Sequence, residues 1–101
     1  MSRSEFRFNK RRKHYAYLFK DIKSLRKFLL FSTKPTRIKH GKKKKNIKLF
    51  KHPNPKCTKE IYVIPYVYLD NIAVFSDEIL NWQFDKNDKR IIKRLKKRKI
   101  K

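Results

Sequence analysis

Charge is distributed unevenly along this chain, and that distribution limits its folding more than any other sequence feature. Residues 1–56 carry twenty Lys and Arg against two acids, Glu5 and Asp21, a balance of +18. Residues 57–86 have a balance of −3, and residues 87–101 return to +8. Because crowded like charges repel one another, the nearly neutral segment can fold unaided, whereas the two basic flanks need a counter-charge.

The net charge of +23 predicts a polyanionic partner. Such a partner would remove the repulsion and would release its own counterions on binding, which favours nucleic acid. Lysines outnumber arginines by 22 to 9, which favours point-charge contacts with phosphates over planar bidentate reading of bases.

Residues that could support catalysis are scarce. Gly41 is the only glycine, so no glycine-rich phosphate cradle can form, and no nucleophile has a recognisable base. Cys57 is the only cysteine, and with His52 and a distant His40 it offers too few ligands for a structural zinc site. We therefore expect no enzyme activity, no cofactor, no metal and no small-molecule substrate.

The composition also bears on location. No run reaches the ~20 apolar residues that would span a membrane, so we expect no membrane partner. Phe, Tyr, Met, Ile, Asn and Lys supply 52 residues against 16 of Gly, Ala, Arg and Pro, as in a very AT-rich gene. This predicts a mitochondrial protein, with a plastid as second choice and an AT-rich nuclear genome as the alternative. The basic start is interpreted as an RNA-binding arm, with a transit peptide as the alternative.

Apolar residues between 15 and 31 recur at spacings of three and four. Tyr15, Leu18, Ile22, Leu25 and Leu29 would share one helical face, with lysines and arginines largely on the others. The pattern predicts an amphipathic helix from Tyr15 to Phe31, which Pro35 prevents from continuing.

Two later segments favour strands. Residues 46–50 alternate as a short strand does, and residues 61–69 are the clearest strand pattern in the chain, broken only by Pro65. The two could pair as a hairpin, with Pro65 at an edge or a bulge. Tyr66 and Tyr68 could stack on bases, but core or interface packing is the favoured interpretation.

These elements predict an α+β fold, in which one amphipathic helix packs on a β-hairpin between basic extensions. The predicted divisions are a basic arm at 1–14, a small α+β RNA-binding domain at 15–86 with a basic loop at 37–45, and a basic tail at 87–101. A short helix from Asp77 to Phe84 follows from the N-cap Ser76 and the two acids after it. The tail is predicted to be a basic helix or an extended arm that orders on RNA.

The predicted function is ribosomal RNA scaffolding, in which cations neutralise phosphates. Neighbouring ribosomal proteins would be further partners. The run Lys42–Lys45 is expected to contact RNA, with a solvated, disordered loop as the alternative. The candidate RNA-binding residues are Arg3, Arg7, Lys10, Arg11, Arg12, Lys13, Arg26, Lys27, Lys34, Arg37, Lys39, His40, Lys42, Lys43, Lys44, Lys45, Lys48, Lys51, Arg90, Arg94, Lys96, Lys97, Arg98 and Lys99.

Several short motifs resemble the universal nineteenth protein of the small ribosomal subunit. Ser2-Arg3-Ser4 resembles its opening, residues 46–50 its first hairpin strand, and the run from Ile64-Pro65-Tyr66-Val67 to Asp70-Asn71-Ile72-Ala73 its second. The family's Asn-Gly turn and its Gly-His-Lys-Leu-Gly run have no counterpart here. The resemblance implies an rRNA-binding protein of the small-subunit head, beside a neighbouring head protein.

Other interpretations remain open. Residues 19–28 followed by Pro35-Thr36-Arg37-Ile38 resemble the eighteenth small-subunit protein, although Pro53 and Pro55 interrupt its expected long helix. The chain could also be an organelle-specific ribosomal protein of either subunit, or a non-ribosomal basic protein that binds DNA or a membrane surface. A strand-rich neutral centre argues against the last two.

Overall fold

The computed structural model of this chain describes residues 4–100 as a small α+β domain, mostly antiparallel sheet with one α-helix. Its strands are β1 (Glu5–Asn9), β2 (His14–Ile22), β3 (Leu25–Ser32), β4 (Thr36–Lys39), β5 (Lys42–Lys45), β6 (Ile47–Lys48), β7 (Tyr62–Val63) and β8 (Tyr68–Asn71). A 3₁₀ turn at Ile72–Val74 and the helix α1 (Lys89–Leu95) complete the described elements.

Six of the strands form one sheet in the order β1-β2-β3-β7-β6, and β8 also pairs with β3. Strands β4 and β5 form a separate two-stranded sheet. Strand β3 is central, because β2 lies along one edge while β8 and β7 share the other.

The predicted helix from Tyr15 to Phe31 is wrong, because this segment forms the hairpin β2–β3. Ile22 pairs with Leu25, and Lys23 in the turn between them has a φ of 58°, a left-handed conformation that ends any helix. Successive side chains of a strand point to opposite faces of the sheet. In β3, Phe28 and Leu30 therefore lie on one face and Leu29 and Phe31 on the other. The sheet buries apolar side chains on both faces of β3, whereas an amphipathic helix would bury only those on one face.

The hairpin predicted from residues 46–50 and 61–69 is confirmed at its paired ends. Ile47 pairs with Val63 and Lys48 with Tyr62 in an antiparallel ladder. The strand pattern at 61–69 is interrupted where Pro65 predicted it, since residues 64–67 bulge opposite Leu29 and Leu30 between β7 and β8.

The predicted helix from Asp77 to Phe84 is also wrong. Residues there are extended along β1, where the Ser76 amide donates to the Phe8 carbonyl (2.9 Å) and the Leu80 amide to the Phe6 carbonyl (2.9 Å). An isolated helix of eight residues is only marginally stable. The extended chain instead forms hydrogen bonds with backbone groups along the open edge of β1. Part of the predicted N-terminal arm is therefore a sheet strand.

The core consists of two clusters, one on each face of the sheet. The larger contains Phe6, Leu29 and Val63, and is covered by Phe84 with Ile92 and Leu95 of α1. The smaller lies on the opposite face and includes Leu18, Phe28, Tyr68 and Phe75. A helix does cover one face, as predicted, but it comes from the tail and not from residues 15–31.

Candidate nucleic-acid interface

The lysine hairpin, defined as strands β4 and β5 with their connecting turn, is the most basic element of the described chain. His40 (φ 53°) and Gly41 (φ 75°) form a two-residue turn with both φ angles positive, which matches the twist of paired strands. Residues 37–45, predicted to be a basic loop, are thus ordered as a ladder with Lys39 opposite Lys42.

The ladder sets cation against cation. Arg37 lies opposite Lys44, and with Lys39 and Lys42 these residues share one face, because side chains two apart on a strand point the same way. Ile38 is 73% exposed on the other face, opposite Lys43. Directly opposed like charges destabilise a strand pair, and within residues 4–100 no salt bridge reaches this hairpin.

Arg37 and Asn46 close the base of the hairpin. An Arg37 Nη1 donates to the Lys45 carbonyl (2.8 Å) and to Asn46 Oδ1 (2.8 Å), while Asn46 Nδ2 donates to the Lys34 carbonyl (3.0 Å). The Asn46 amide donates to the Pro35 carbonyl (2.8 Å). This network holds the two strands together although every residue of β5 is exposed.

Tyr66, in the bulge of the main sheet, contacts the cationic face of the hairpin. The Lys39 Nζ lies 3.9 Å from its ring centroid and the Arg37 Cζ lies 4.7 Å from it. Hydrogen bonds with Lys39 and Arg37, together with their charges, lower the pKa of the Tyr66 hydroxyl to about 8. The ring is half-buried, so its contacts dock the hairpin onto the domain.

A second basic group, residues 10–13, forms the turn between β1 and β2. Asn9 is fully buried, and its side-chain oxygen accepts from the amides of Arg11 (3.0 Å) and Arg12 (2.9 Å). Its side-chain nitrogen donates to the buried Asp70 (3.0 Å). The turn is thereby fixed to the end of β8, with Lys10 and Lys13 exposed.

Several candidate arginines are committed to the fold. Arg12 donates to Asp70 (2.8 Å) and lies over the ring of Tyr68 (4.6 Å), and Arg11 also pairs with Asp70. Arg7 pairs with Glu5 and donates to backbone carbonyls at Ser76 (2.9 Å) and Asp77 (3.0 Å). Arg26 is 8% exposed and pairs with Glu5 and Asp21. These contacts stabilise the sheet and leave Arg7, Arg12 and Arg26 little freedom to reach RNA, whereas Arg11 stays exposed.

The C-terminal segment supplies the third basic surface. The helix α1 buries Ile92 and Leu95 and exposes Arg90, Lys93 and Arg94. Asp88 before it is buried and accepts from the Phe50 amide (2.7 Å). Ile100 pairs with Val67, the neighbour of Tyr66, which brings this segment close to the residue that the lysine hairpin contacts.

The candidate residues therefore fall into groups. Arg26 is buried and Arg3 lies outside the described residues. Six are half-buried: Arg7, Arg12, Lys27, Arg37, Lys39 and Lys96. The exposed candidates are Lys10, Arg11, Lys13, Lys34, His40, Lys42, Lys43, Lys44, Lys45, Lys48, Lys51, Arg90, Arg94, Lys97, Arg98 and Lys99, of which Lys48 pairs with Glu60 (2.8 Å). Their contact with RNA stays a prediction.

Sequence reasoning missed Lys89 and Lys93, which lie with Lys96 along one side of α1. Their spacing of four and three residues was the available signal.

No protein-family model, no curated protein and no solved structure matches this chain. The function is accordingly inferred from the surface chemistry. Among residues 4–100, no three His, Cys, Asp or Glu side chains lie together as a metal site, and no helix is long and apolar enough to cross a membrane.

Proposed function

We propose that this protein is a structural RNA-binding protein of a ribosome, which neutralises rRNA phosphates with the lysine hairpin. The observation that carries the proposal is the pairing of Arg37 with Lys44 and of Lys39 with Lys42. An ordered ladder of opposed cations is costly unless something anionic lies against it. A phosphate backbone supplies that charge in a regular row.

The distribution of arginines and lysines supports the same function. The arginines at 7, 12, 26 and 37 hold the fold through planar, multidentate contacts. The exposed lysines carry no such constraint, and flexible ammonium groups suit contacts with phosphates of variable position. This division favours backbone neutralisation over base-specific recognition.

The direct experiment replaces Lys42, Lys43, Lys44 and Lys45 with Gln. Log affinity falls as log salt rises. Loss of four phosphate contacts should make that slope shallower by roughly 3 for a structured RNA, because each contact contributes slightly less than one unit. Circular dichroism should show an unchanged sheet, because these side chains are exposed and bury no core.

The matched control removes the same charge elsewhere. Lys20, Lys56, Lys59 and Lys86 are exposed and lie outside the three basic surfaces described above. Their replacement with Gln should change the salt slope much less than the hairpin variant does. Equal effects in the two variants would mean that only net charge matters, and would contradict a defined site on the hairpin.

The ionisation of Tyr66 offers a reporter of hairpin occupancy. Phosphates bound to the exposed Lys42 and Lys44, on the same face as Lys39 and Arg37, would offset the positive charge that lowers the Tyr66 pKa to about 8, so RNA should shift that pKa upward. Absorbance titration of tyrosinate, with Tyr66→Phe to assign the signal, measures the shift. An unchanged Tyr66 pKa in saturating RNA would place the bound RNA away from the hairpin.

Membership of a ribosome, in a mitochondrion first and a plastid second, is a proposal drawn from size, charge and composition. The expected result is co-sedimentation with a ribosomal subunit and release only at high salt. Crosslinks to small-subunit head rRNA would support the resemblance to the nineteenth small-subunit protein. That resemblance rests on the opening Ser2-Arg3-Ser4 and on the segments at residues 46–50 and 64–73, and residues 15–31 add nothing to it because they form strands. Binding that prefers duplex DNA would favour the non-ribosomal alternative.

A further inference from the structure

A groove between β1, β2, the segment around Trp82 and α1 combines an aromatic wall with a cationic rim. Its volume is about 470 Å³, and no acid is among the described residues that line it. Four aromatic rings line it: Phe6, Tyr17 and Phe84, which are buried, and Trp82, which is half-buried. Trp82 is thus the ring with the most accessible surface.

The rim is formed by Lys89, Lys93 and Lys96, which face one side of α1 and all line the groove. Lys89 and Lys93 are exposed, and Lys96 is half-buried with its Nζ 5.7 Å from the Tyr17 ring centroid. The helix is held against the core by Ile92 and Leu95, so the backbone positions of the three lysines beside the groove are fixed.

We infer that this groove binds a single-stranded nucleotide of the RNA, with its base against the aromatic wall at Trp82 and its phosphates on the lysines. The inference rests on the proposed RNA-binding function and adds a base-stacking site to it. Volume and chemistry agree with this occupant, because the pocket has the size that takes a small ligand. Aromatic rings beside a positive rim are the combination that binds unpaired nucleotides without sequence preference. An acidic peptide would leave the aromatic wall without a partner, and a purely apolar peptide would leave the lysines without one.

The experiment compares two oligonucleotides of equal charge: decauridylate, and an abasic ribose-phosphate decamer. Trp82 is the only tryptophan, so its emission reports on the groove alone. The uridylate should quench Trp82 and bind about tenfold more tightly than the abasic decamer, because one stacked base contributes on that scale. Equal affinities without quenching, or equal quenching by both, would overturn the inference.

Two variants separate stacking from charge. Trp82→Ala should abolish the preference for the uridylate. Because Trp82 packs against Phe6 and Tyr15 and its loss could unfold the chain, the exposed pair Lys89→Gln with Lys93→Gln provides a second test. That pair should lower the salt slope by about 1.4 units for a single strand, with Trp82 emission in the free protein unchanged.

The matched control is Lys56→Gln with Lys59→Gln, which removes the same charge from exposed positions outside the groove. The groove inference fails if this control lowers the slope as much as the α1 pair does. The glutamine variant of the lysine hairpin should still show quenching at saturating uridylate. If neither structured RNA nor either decamer binds in a salt-dependent way, the proposed function itself fails, and the groove inference fails with it.

Discussion

Asp70 shows how a single buried residue organises a basic surface. It is 3% exposed, accepts from Asn9 and Arg12, and pairs with Arg11. Burial opposes its ionisation, but the hydrogen bonds of Arg12 and Asn9 and the charges of Arg12 and Arg11 outweigh that effect, so the pKa of Asp70 is lowered. The turn at residues 10–13 can therefore carry four cations because one carboxylate is held beneath it.

Replacing Asp70 with Asn should destabilise the fold by about 2 kcal/mol at pH 7, because charge-assisted hydrogen bonds are lost while their arginine partners remain. A carboxylate with a lowered folded-state pKa contributes stability above its unfolded pKa and loses it as the pH falls through the folded value. Urea unfolding at several pH values measures this. Wild type should lose stability below about pH 4, and Asp70→Asn should lose less. The exposed control Asp77→Asn should resemble wild type throughout.

The hairpin β2–β3 shows how an element is decided by its turn. The spacing of Tyr15, Leu18 and Ile22 fits a helix, but the aromatic and branched residues of the segment fit strands equally well. The two-residue turn after Ile22 requires a left-handed Lys23, and the pairing of Leu18 with Phe28 then buries both. The distinction between helix and hairpin depends on contacts with β1, β7 and β8, which periodicity does not include.

The sign of the stability change caused by one substitution distinguishes a hairpin from a helix at this position. Lys23→Gly should stabilise the hairpin by about 0.5 to 1 kcal/mol, because glycine adopts the φ of 58° without steric cost. In a helix the same change would cost about 1 kcal/mol. Thermal or urea unfolding gives the sign directly. Lys20→Gly, at an exposed position within β2 where φ is negative, is the control and should be destabilising.

At the scale of the whole molecule, residues 4–100 hold 29 Lys and Arg against eight acids, and the radius of gyration is 13.0 Å. The acids at positions 5, 21 and 70 are used to pair arginines inside the fold. The exposed lysines of the hairpin, the turn at residues 10–13 and α1 remain uncompensated by them. Self-repulsion is thus concentrated on the surface that we propose faces RNA.

Salt should therefore act in opposite directions on folding and on binding. Raising salt from 0.05 to 0.5 M shortens the screening length from roughly 14 to 4 Å, so the melting temperature should rise as surface repulsion weakens. RNA affinity should fall steeply over the same range. A melting temperature that falls with salt would mean that the internal ion pairs outweigh the repulsion.

One pairing and one bulge of the main sheet could be predicted from the sequence, whereas the strands of the first third could not. The bulge at Pro65 and the pairing of residues 47–48 with 62–63 followed from alternation and from the missing amide of proline. The strands at residues 5–32 did not follow, although they pair with their chain neighbours, because the spacing of their apolar residues also fits a helix. The extended chain near Leu80 did not follow because its partner Phe6 is far away in the chain. For the candidate site, the sequence indicated the basic segments but not which arginines the fold would use.

The amino-acid sequence alone determined the excess of lysine and its concentration in two flanks, because charge is a property of composition. Tertiary structure decided which cations remain available. Five ion pairs join Asp70, Glu5 and Asp21 to arginines within the fold. At Tyr66 and in the α1 groove, aromatic rings lie against lysines that are distant in the chain. Ion pairs and ring contacts act over a few ångströms, so only the folded chain could bring these partners together.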